Sequence, residues 1–433
     1  MKSSRPNQPL VSQAELFIEA PANVADDQIE FGAQLVEDSK LTHRIWFRFP
    51  STYSSLLTRR ADPFIIATAV HASRRYQNLH VHGTVSDGLF ANLAEFQAAF
   101  SAFHNHRTAQ PVAYTASDLA APVGAGRRAK GITAFSGGVD SCFSVFRHTA
   151  LSSLAPKRNL DGALMMHGFD IPLDQSQVFA QSAQRSQHMT EEAGLRLYTG
   201  ATNIRILPVP WEDTFAAAVA GSLSFFQSAF SYGLVPSFQE WSQARFDHGS
   251  NPLTDPLLSS PSFQIVHDGA GYGRIEKLRH LTEWPGALRH LRVCWQGAQL
   301  DRNCCTCEKC LRTMLMLDVC GISRSDAFPD AIDPEVISRL VIKNQSGLDE
   351  FGYLLKEARR LNLERIWIKP AEHMLRRNRR NRVLWEQGQS FAGFIPADVR
   401  QALRDVGHRW LWKAPHAQRA QTAAPTAAPV GTQ

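Results

Sequence analysis

Apolar positions along this chain switch repeatedly between a period of two and a period near 3.6. His43-Arg-Ile-Trp-Phe-Arg-Phe49 alternates residue by residue and predicts a half-buried strand, ended by Pro50. Pro63 to Tyr76 has helical spacing, and Leu79–Val81 and Val112–Tyr114 predict short strands. Between them Leu89, Leu93, Phe96, Phe100 and Phe103 form one apolar face of a helix. Residues 1–40 are polar with weak periodicity, and Ala120-Ala-Pro-Val-Gly-Ala-Gly-Arg-Arg-Ala-Lys130 reads as a linker.

From Gly131 the pattern becomes strand, helix, strand. Ile132–Phe135 is a short apolar run, and Cys142–Phe146 continues as a helix. Ala163–Met166 predicts a second strand, 175–193 a helix, and Leu195–Tyr198 and Ile204–Leu207 further apolar runs. The long uncharged stretch 214–239 holds Gly221, Ser222, Ser224, Gln227, Ser228, Ser231, Gly233 and Pro236. That is too polar for a membrane span and predicts a buried helix followed by a strand. The expected fold is α/β, a parallel sheet with helices on both faces. The expected layout is a small α/β domain over 1–119, the linker 120–130 and the main domain over 131–325. A helical, basic region follows over 326–412, with a disordered Ala/Pro/Thr/Gln-rich tail over 413–433.

The break after Ile132–Phe135 carries the first candidate chemistry. Ser136-Gly137-Gly138-Val139-Asp140-Ser141 sits between a strand and a helix. Two adjacent glycines permit a sharp turn and a close approach of phosphate. The helix amides and the Ser136 and Ser141 hydroxyls add donors, so the turn is an anion cradle. No Lys-Ser/Thr pair follows, which excludes the triphosphate P-loop.

Cysteine use changes the picture again. Of seven cysteines, Cys304, Cys305, Cys307 and Cys310 fall within seven residues, with Cys294 ten residues upstream. That is a poor disulfide framework and suits a reducing compartment and a metal. Cys294, Cys304, Cys307 and Cys310 at these spacings suit tetrahedral Zn²⁺, and an iron–sulfur cluster is the chemical rival. Cys305 is set aside because only Cys304 keeps the two-residue gap to Cys307. Arg302, Lys309 and Arg312 would offset part of the thiolate charge. The N-terminus has no apolar secretory core, so a cytoplasmic protein with no membrane partner is expected.

The formal net charge of +6 is concentrated. Between Arg359 and Arg382 nine cations face only Glu364 and Glu372, a surplus of seven, so the rest is near neutral. Such a segment attracts phosphate backbones, but no RNA-binding module accompanies it, and Leu375, Val383, Leu384 and Trp385 predict an amphipathic helix. A nucleic-acid partner is therefore the lesser expectation and a small-molecule substrate the greater.

Ser136-Gly-Gly-Val-Asp-Ser141 after a strand resembles the PP-loop of the ATP pyrophosphatase, or adenine nucleotide alpha hydrolase-like, superfamily. Cys294 with Cys304-x-x-Cys307-x-x-Cys310-Leu-Arg312 resembles the zinc site of the 7-cyano-7-deazaguanine synthase family. The runs His167–Asp174, Gly249–Leu257 and Cys307–Met314 are similar to a broad set of PP-loop proteins that look like biosynthetic tailoring enzymes. The resemblance does not account for the region before Gly131 or the long C-terminal part. It implies an enzyme that uses ATP with Mg²⁺, splits it between the alpha and beta phosphates, and adenylates a carboxylate or amide oxygen for attack by an amine or ammonia. Ser136, Gly137, Gly138, Val139, Asp140, Ser141 and Asp170 would bind the nucleotide. Asp140, Arg274 and Lys277 would act catalytically, the two cations on departing pyrophosphate. Ser250 and Asp255 are further candidates on a turn-rich loop, and His167 reads as a packed loop histidine. A tRNA-modifying PP-loop enzyme and a non-catalytic ATP-binding protein are the alternatives.

Overall fold

Phe225 touches four aromatic rings drawn from residues 31–64. Its centroid lies 5.1 Å from Phe31, 4.9 Å from Phe47, 5.2 Å from Phe49 and 5.6 Å from Phe64. All five rings are buried, and each contributes about 1.5–3 kcal/mol of burial. They join elements that sequence periodicity assigns to separate domains.

The computed structural model describes residues 10–104, 111–122, 129–297, 299–342 and 344–392, with side chains to 383. The strands are β1 (Val11–Ile18), β2 (Ala22–Val24), β3 (Gln28–Glu37), β4 (Lys40–Pro50), β5 (Tyr76–Ser86), β6 (Ala113–Ala120), β7 (Gly131–Ala134), β8 (Leu160–His167), β9 (Arg196–Thr202), β10 (Tyr232–Pro236) and β11 (Gln264–Asp268). The helices are α1 (Asp62–Arg75), α2 (Leu89–His104), α3 (Val139–His148), α4 (Ser176–Glu192), α5 (Trp211–Ser224), α6 (Arg274–Leu281), α7 (Pro285–His290), α8 (Glu308–Val319), α9 (Pro334–Arg339), α10 (Gln345–Arg360) and α11 (Ile368–Ala392).

All the strands join one sheet, in the order β11-β10-β7-β8-β9-β4-β3-β1-β5-β6, with β2 beside β3. The five strands β11 to β9 run parallel. β9, β4, β3 and β1 then pair antiparallel, and β1, β5 and β6 pair parallel. The fold is therefore α/β, as expected, but the sheet is mixed rather than parallel. The strands of 1–119 continue the sheet of 131–268 through the β4–β9 pair.

β3 accounts for part of the difference. Ile29, Phe31, Ala33 and Leu35 alternate and are buried, but Gly32 and three polar partners weaken the signal. Glu30 on the same strand is kept ionised by Arg44 and Arg48 at 2.7 and 2.6 Å, so polar letters mark a paired interior rather than a loop. Ile204–Leu207, read as an apolar run, forms a short 3₁₀ turn instead.

The chain divides into two compact units, 1–303 with 325–327, and 304–324 with 328 onward. The sheet lies in the first. In the second, buried Asp318 on α8 accepts from Arg365 Nε at 3.0 Å and from Trp367 Nε1 at 2.8 Å. Arg377 donates to the Ser338 and Leu340 carbonyls, Arg359 pairs with Glu372 and Arg360 with Glu357. The basic segment is thus partly structural. Residues 123–128 of the expected linker, 393–412 of the basic region and the whole 413–433 tail lie outside the described residues. Among the described residues no helix is long and apolar enough to cross a membrane.

Candidate active site and metal centre

In chain order the parallel strands run outward from β7 to β8 and β9, then return to the other side of β7 as β10 and β11. In open α/β sheets ligands bind outside the carboxyl ends of the strands at such a reversal, which here falls between β7 and β10. β7 ends at Ala134, and Phe135–Gly138 leads directly into α3.

The turn is built as its sequence predicts. Gly137 has φ +72°, a conformation that favours glycine. Ser136 Oγ accepts from the Gly138 N–H at 3.3 Å, and Ser141 Oγ donates to the Gly138 carbonyl at 3.1 Å. Gly138 caps α3 without any side-chain oxygen, so the amides of Val139, Asp140 and Ser141 have no intrahelical acceptor.

Arg274, Lys277 and Asp140 converge. Arg274 Nη2 lies 2.7 Å from Asp140 Oδ2, and Lys277 Nζ lies 3.2 Å from Oδ1. The two cations stand in the first turn of α6, 134 and 137 residues from Asp140. Lys277 is completely buried, Arg274 is 14% exposed and Asp140 is 19% exposed. Lys277 also donates to the Ser237 carbonyl just past β10. Burial pushes the Lys277 ammonium below its ordinary pKa, and Asp140 opposes that shift. Two cations and one carboxylate beside a helix start leave a positive surplus suited to an anion.

A hub that sequence reading missed holds this arrangement. Asp268, the last residue of β11, accepts from Ser144 Oγ at 2.7 Å, Arg147 Nη1 at 3.2 Å and His148 Nε2 at 2.9 Å. His148 Nδ1 accepts the Arg158 N–H at 3.1 Å, so its proton sits on Nε2. The hub ties α3 to β11. Burial raises the Asp268 pKa, but the hydrogen bonds from His148 and Ser144 and the Arg147 charge outweigh it and hold the carboxyl below its ordinary 3.8. A depressed carboxyl stabilises the fold above its unfolded pKa, and that stability is lost as pH falls through the depressed value. Asp268→Ala should cost about 3–5 kcal/mol at pH 7, because it leaves the partners of a buried charge behind. Urea melts should show the gap between wild type and Asp268→Asn closing below pH 4. Equal midpoints at pH 7 for both variants and wild type would remove the hub from the account.

The remaining candidates separate. Asp170, after β8, is 49% exposed, with Oδ2 3.9 Å from Arg292 Nη2. His167 Nε2 lies 2.7 Å from the Pro172 carbonyl and its ring stacks on Phe179, which makes it a packing residue. Ser250 Oγ donates to Asp255 Oδ2 at 2.7 Å, and His267 Nδ1 lies 2.7 Å from the same oxygen. Asp255 is fully buried, and its hydrogen bonds to Ser250 and His267 fasten the loop to β11.

Cys294, Cys304, Cys307 and Cys310 bring their sulfurs within 4.8 Å of one another and could hold a metal such as zinc. Tetrahedral zinc thiolate sites have Zn–S near 2.3 Å, so their S···S edges are about 3.8 Å. Cys304 and Cys310 Sγ already stand 3.9 Å apart, and the Cys307 N–H points to Cys304 Sγ at 3.3 Å. Cys305 is outside the group; its φ of +57° turns the chain between the ligands. Arg312 pairs with Glu308 at 3.2 Å and Arg302 with Asp301 at 3.4 Å, so their charge is shared with carboxylates.

No family model matches the chain, and no curated protein or solved structure matches it. Function rests on the site itself.

Proposed function

We propose that the chain is a PP-loop, Rossmann-like ATP-dependent enzyme that forms AMP and pyrophosphate. The observation that carries this reading is the meeting of Arg274 and Lys277 on Asp140 beside the Ser136–Ser141 turn. The strand order outward from β7 and back to β10 supports it, since nucleotides bind at such reversals.

In this reading the phosphates of ATP lie against the Gly137–Gly138 backbone and the start of α3. A carboxylate or amide oxygen of a small molecule attacks the alpha phosphorus. The bond from that phosphorus to the alpha–beta bridging oxygen breaks, and pyrophosphate leaves with the electron pair. Ammonia or an amine then attacks the adenylated carbon and AMP departs. Arg274 and Lys277 neutralise the charge developing on pyrophosphate, and Asp140 holds both in place beforehand. Both Asp140 oxygens are engaged by cations, so the chain does not offer Asp140 to Mg²⁺ as it stands. Asp170, half exposed and only loosely paired with Arg292 at 3.9 Å, would face a cation carried by the triphosphate, whose chemistry is to shield phosphate charge. Zinc on the four cysteines would be structural, since four thiolates close its coordination shell.

The test is a screen of small carboxylic acids and amides with ATP and ammonia, read by pyrophosphate release. AMP and pyrophosphate are the expected products. ADP and phosphate would overturn the reading, and ATP binding without turnover on any acceptor would favour a non-catalytic nucleotide-binding protein.

The basic segment supports a solvated helix face more than an RNA surface, because Arg359, Arg360, Arg365 and Arg377 have protein partners. Charge reversal at Arg376, Arg379 and Arg380, which spares the structural Arg377, should leave turnover within about twofold. RNA affinity should be weak and vanish at moderate salt. Tight, shape-selective tRNA binding lost in that variant would instead establish a tRNA-modifying enzyme.

A further inference from the structure

Arg292 packs on the glycine turn at Gly137, whereas Arg274 and Lys277 meet it at Asp140. Its N–H donates to the Gly137 carbonyl at 2.8 Å, and its Cβ is 3.9 Å from where a Cβ on Gly137 would stand. The side chain is only 9% exposed. Its guanidinium has weak company: the Leu300 carbonyl at 3.1 Å, the Cys294 carbonyl at 3.4 Å and the Ser136 carbonyl at 3.5 Å. The nearest carboxylate, Asp170, is 3.9 Å away and half exposed. Nε is buried and has no hydrogen-bond partner among the described residues.

A buried cation is normally paired, because desolvation costs several kcal/mol that only a close anion repays. Here five donors meet three carbonyl oxygens and one acid at 3.9 Å, and Asp301 and the Cys294 sulfur act on the charge only from farther off. The charge is under-compensated, and the adjacent space is a turn shaped for an anion. Guanidinium also presents a planar fork that matches two phosphate oxygens.

We infer that Arg292 is a phosphate-binding residue of this site, holding the nucleotide from the Gly137 side while Arg274 and Lys277 hold it from the Asp140 side. The inference rests on the nucleotide reading above and adds a third cation to it. Arg274 and Lys277 share the single carboxylate Asp140, and Arg292 has only Asp170 within 4 Å, so the cations outnumber their direct carboxylate partners at this turn.

Calorimetry with ATP and with inorganic pyrophosphate tests this on wild type, Arg292→Gln and Arg292→Lys. Metal content and ligand-free melting are measured on each. Arg292→Gln should weaken both ligands by roughly 10- to 100-fold, the loss of a charge-assisted hydrogen-bond pair. Arg292→Lys keeps the charge without the fork and should fall between. Metal content should be unchanged in both. Wild-type affinity in a folded Arg292→Gln protein would overturn the assignment and leave the nucleotide reading standing. Absence of ATP binding to wild type would overturn that reading and the inference with it. Loss of binding together with loss of metal would make Arg292 a tie for the Cys294 segment, which also overturns a phosphate contact. If Arg292→Gln does not fold, full affinity in Arg292→Lys decides against the fork.

Discussion

Cys307→Ser should reduce the metal content from one per chain to near zero and lower the unfolding midpoint by roughly 10 °C. Structural zinc in small domains contributes about 10–16 kcal/mol of apparent binding energy at neutral pH. Even a third of that rivals the low end of a domain's net stability, about 5–15 kcal/mol. Cys307 is the sharpest position to test because it does two things at once. It supplies one of the four sulfurs, and its backbone caps α8, whose first turn carries Cys310. Serine keeps the cap geometry and removes only the soft ligand. Cys305→Ser is the matched control, since Cys305 is buried between the ligands yet outside their group, and it should keep its metal. Elemental analysis and thermal melts on the two variants settle the point. Stoichiometric iron, or a folded wild-type protein with no metal, would overturn the zinc reading.

Local signals were legible where a few adjacent residues carry the geometry. The turn at Ser136–Ser141 needs glycines next to a helix start, and a linear pattern displays that. The cysteine group is likewise encoded in short spacings, and Cys294 follows from the count of ligands tetrahedral zinc takes. Arg274 and Lys277 were harder, because their partner lies 134 and 137 residues away. They could be named only because a phosphate site needs cations and they open a helix after a loop. Arg292 gave no such sign. It stands two residues before a cysteine that draws the eye, and its weight comes from burial, which a sequence does not print. Asp268 was equally hidden: Ser144, Arg147 and His148 each look like ordinary helix positions until α3 is laid beside β11. The continuous sheet was missed for a related reason. β4 pairs with β9 through two residue pairs only, Phe47 with Thr202 and Arg48 with Ala201, and nothing local in either strand announces a partner more than 150 residues distant.

Gly138→Val should abolish ATP binding, by about 100-fold or more, an effect near 2.7 kcal/mol, while leaving the fold intact. The separation of these two effects makes it the more decisive test of the nucleotide site. Gly138 has φ −84° and ψ 171°, extended backbone in which valine is comfortable. A Cβ built there meets Ser136 Oγ at 3.3 Å and the Arg292 carbonyl at 3.6 Å, so a small shift of one hydroxyl accommodates it. The two methyl groups beyond it then fill the space that a phosphate would need against the backbone. Gly137→Ala is the contrasting change. At φ +72° any side chain is strained, so that variant should lose about 1–2 kcal/mol of stability before any question of ligand arises. Asp140→Ala completes the set. It leaves the turn open but releases Arg274 and a fully buried Lys277 from their shared carboxylate, so binding should weaken through misplaced cations. Calorimetry on the three variants, beside their ligand-free melts, distinguishes a blocked cradle from a damaged fold. A Gly138→Val protein that melts like wild type and still binds ATP with wild-type affinity would take the nucleotide away from this turn. The meeting of Arg274, Lys277 and Asp140 would then need another anion to explain it.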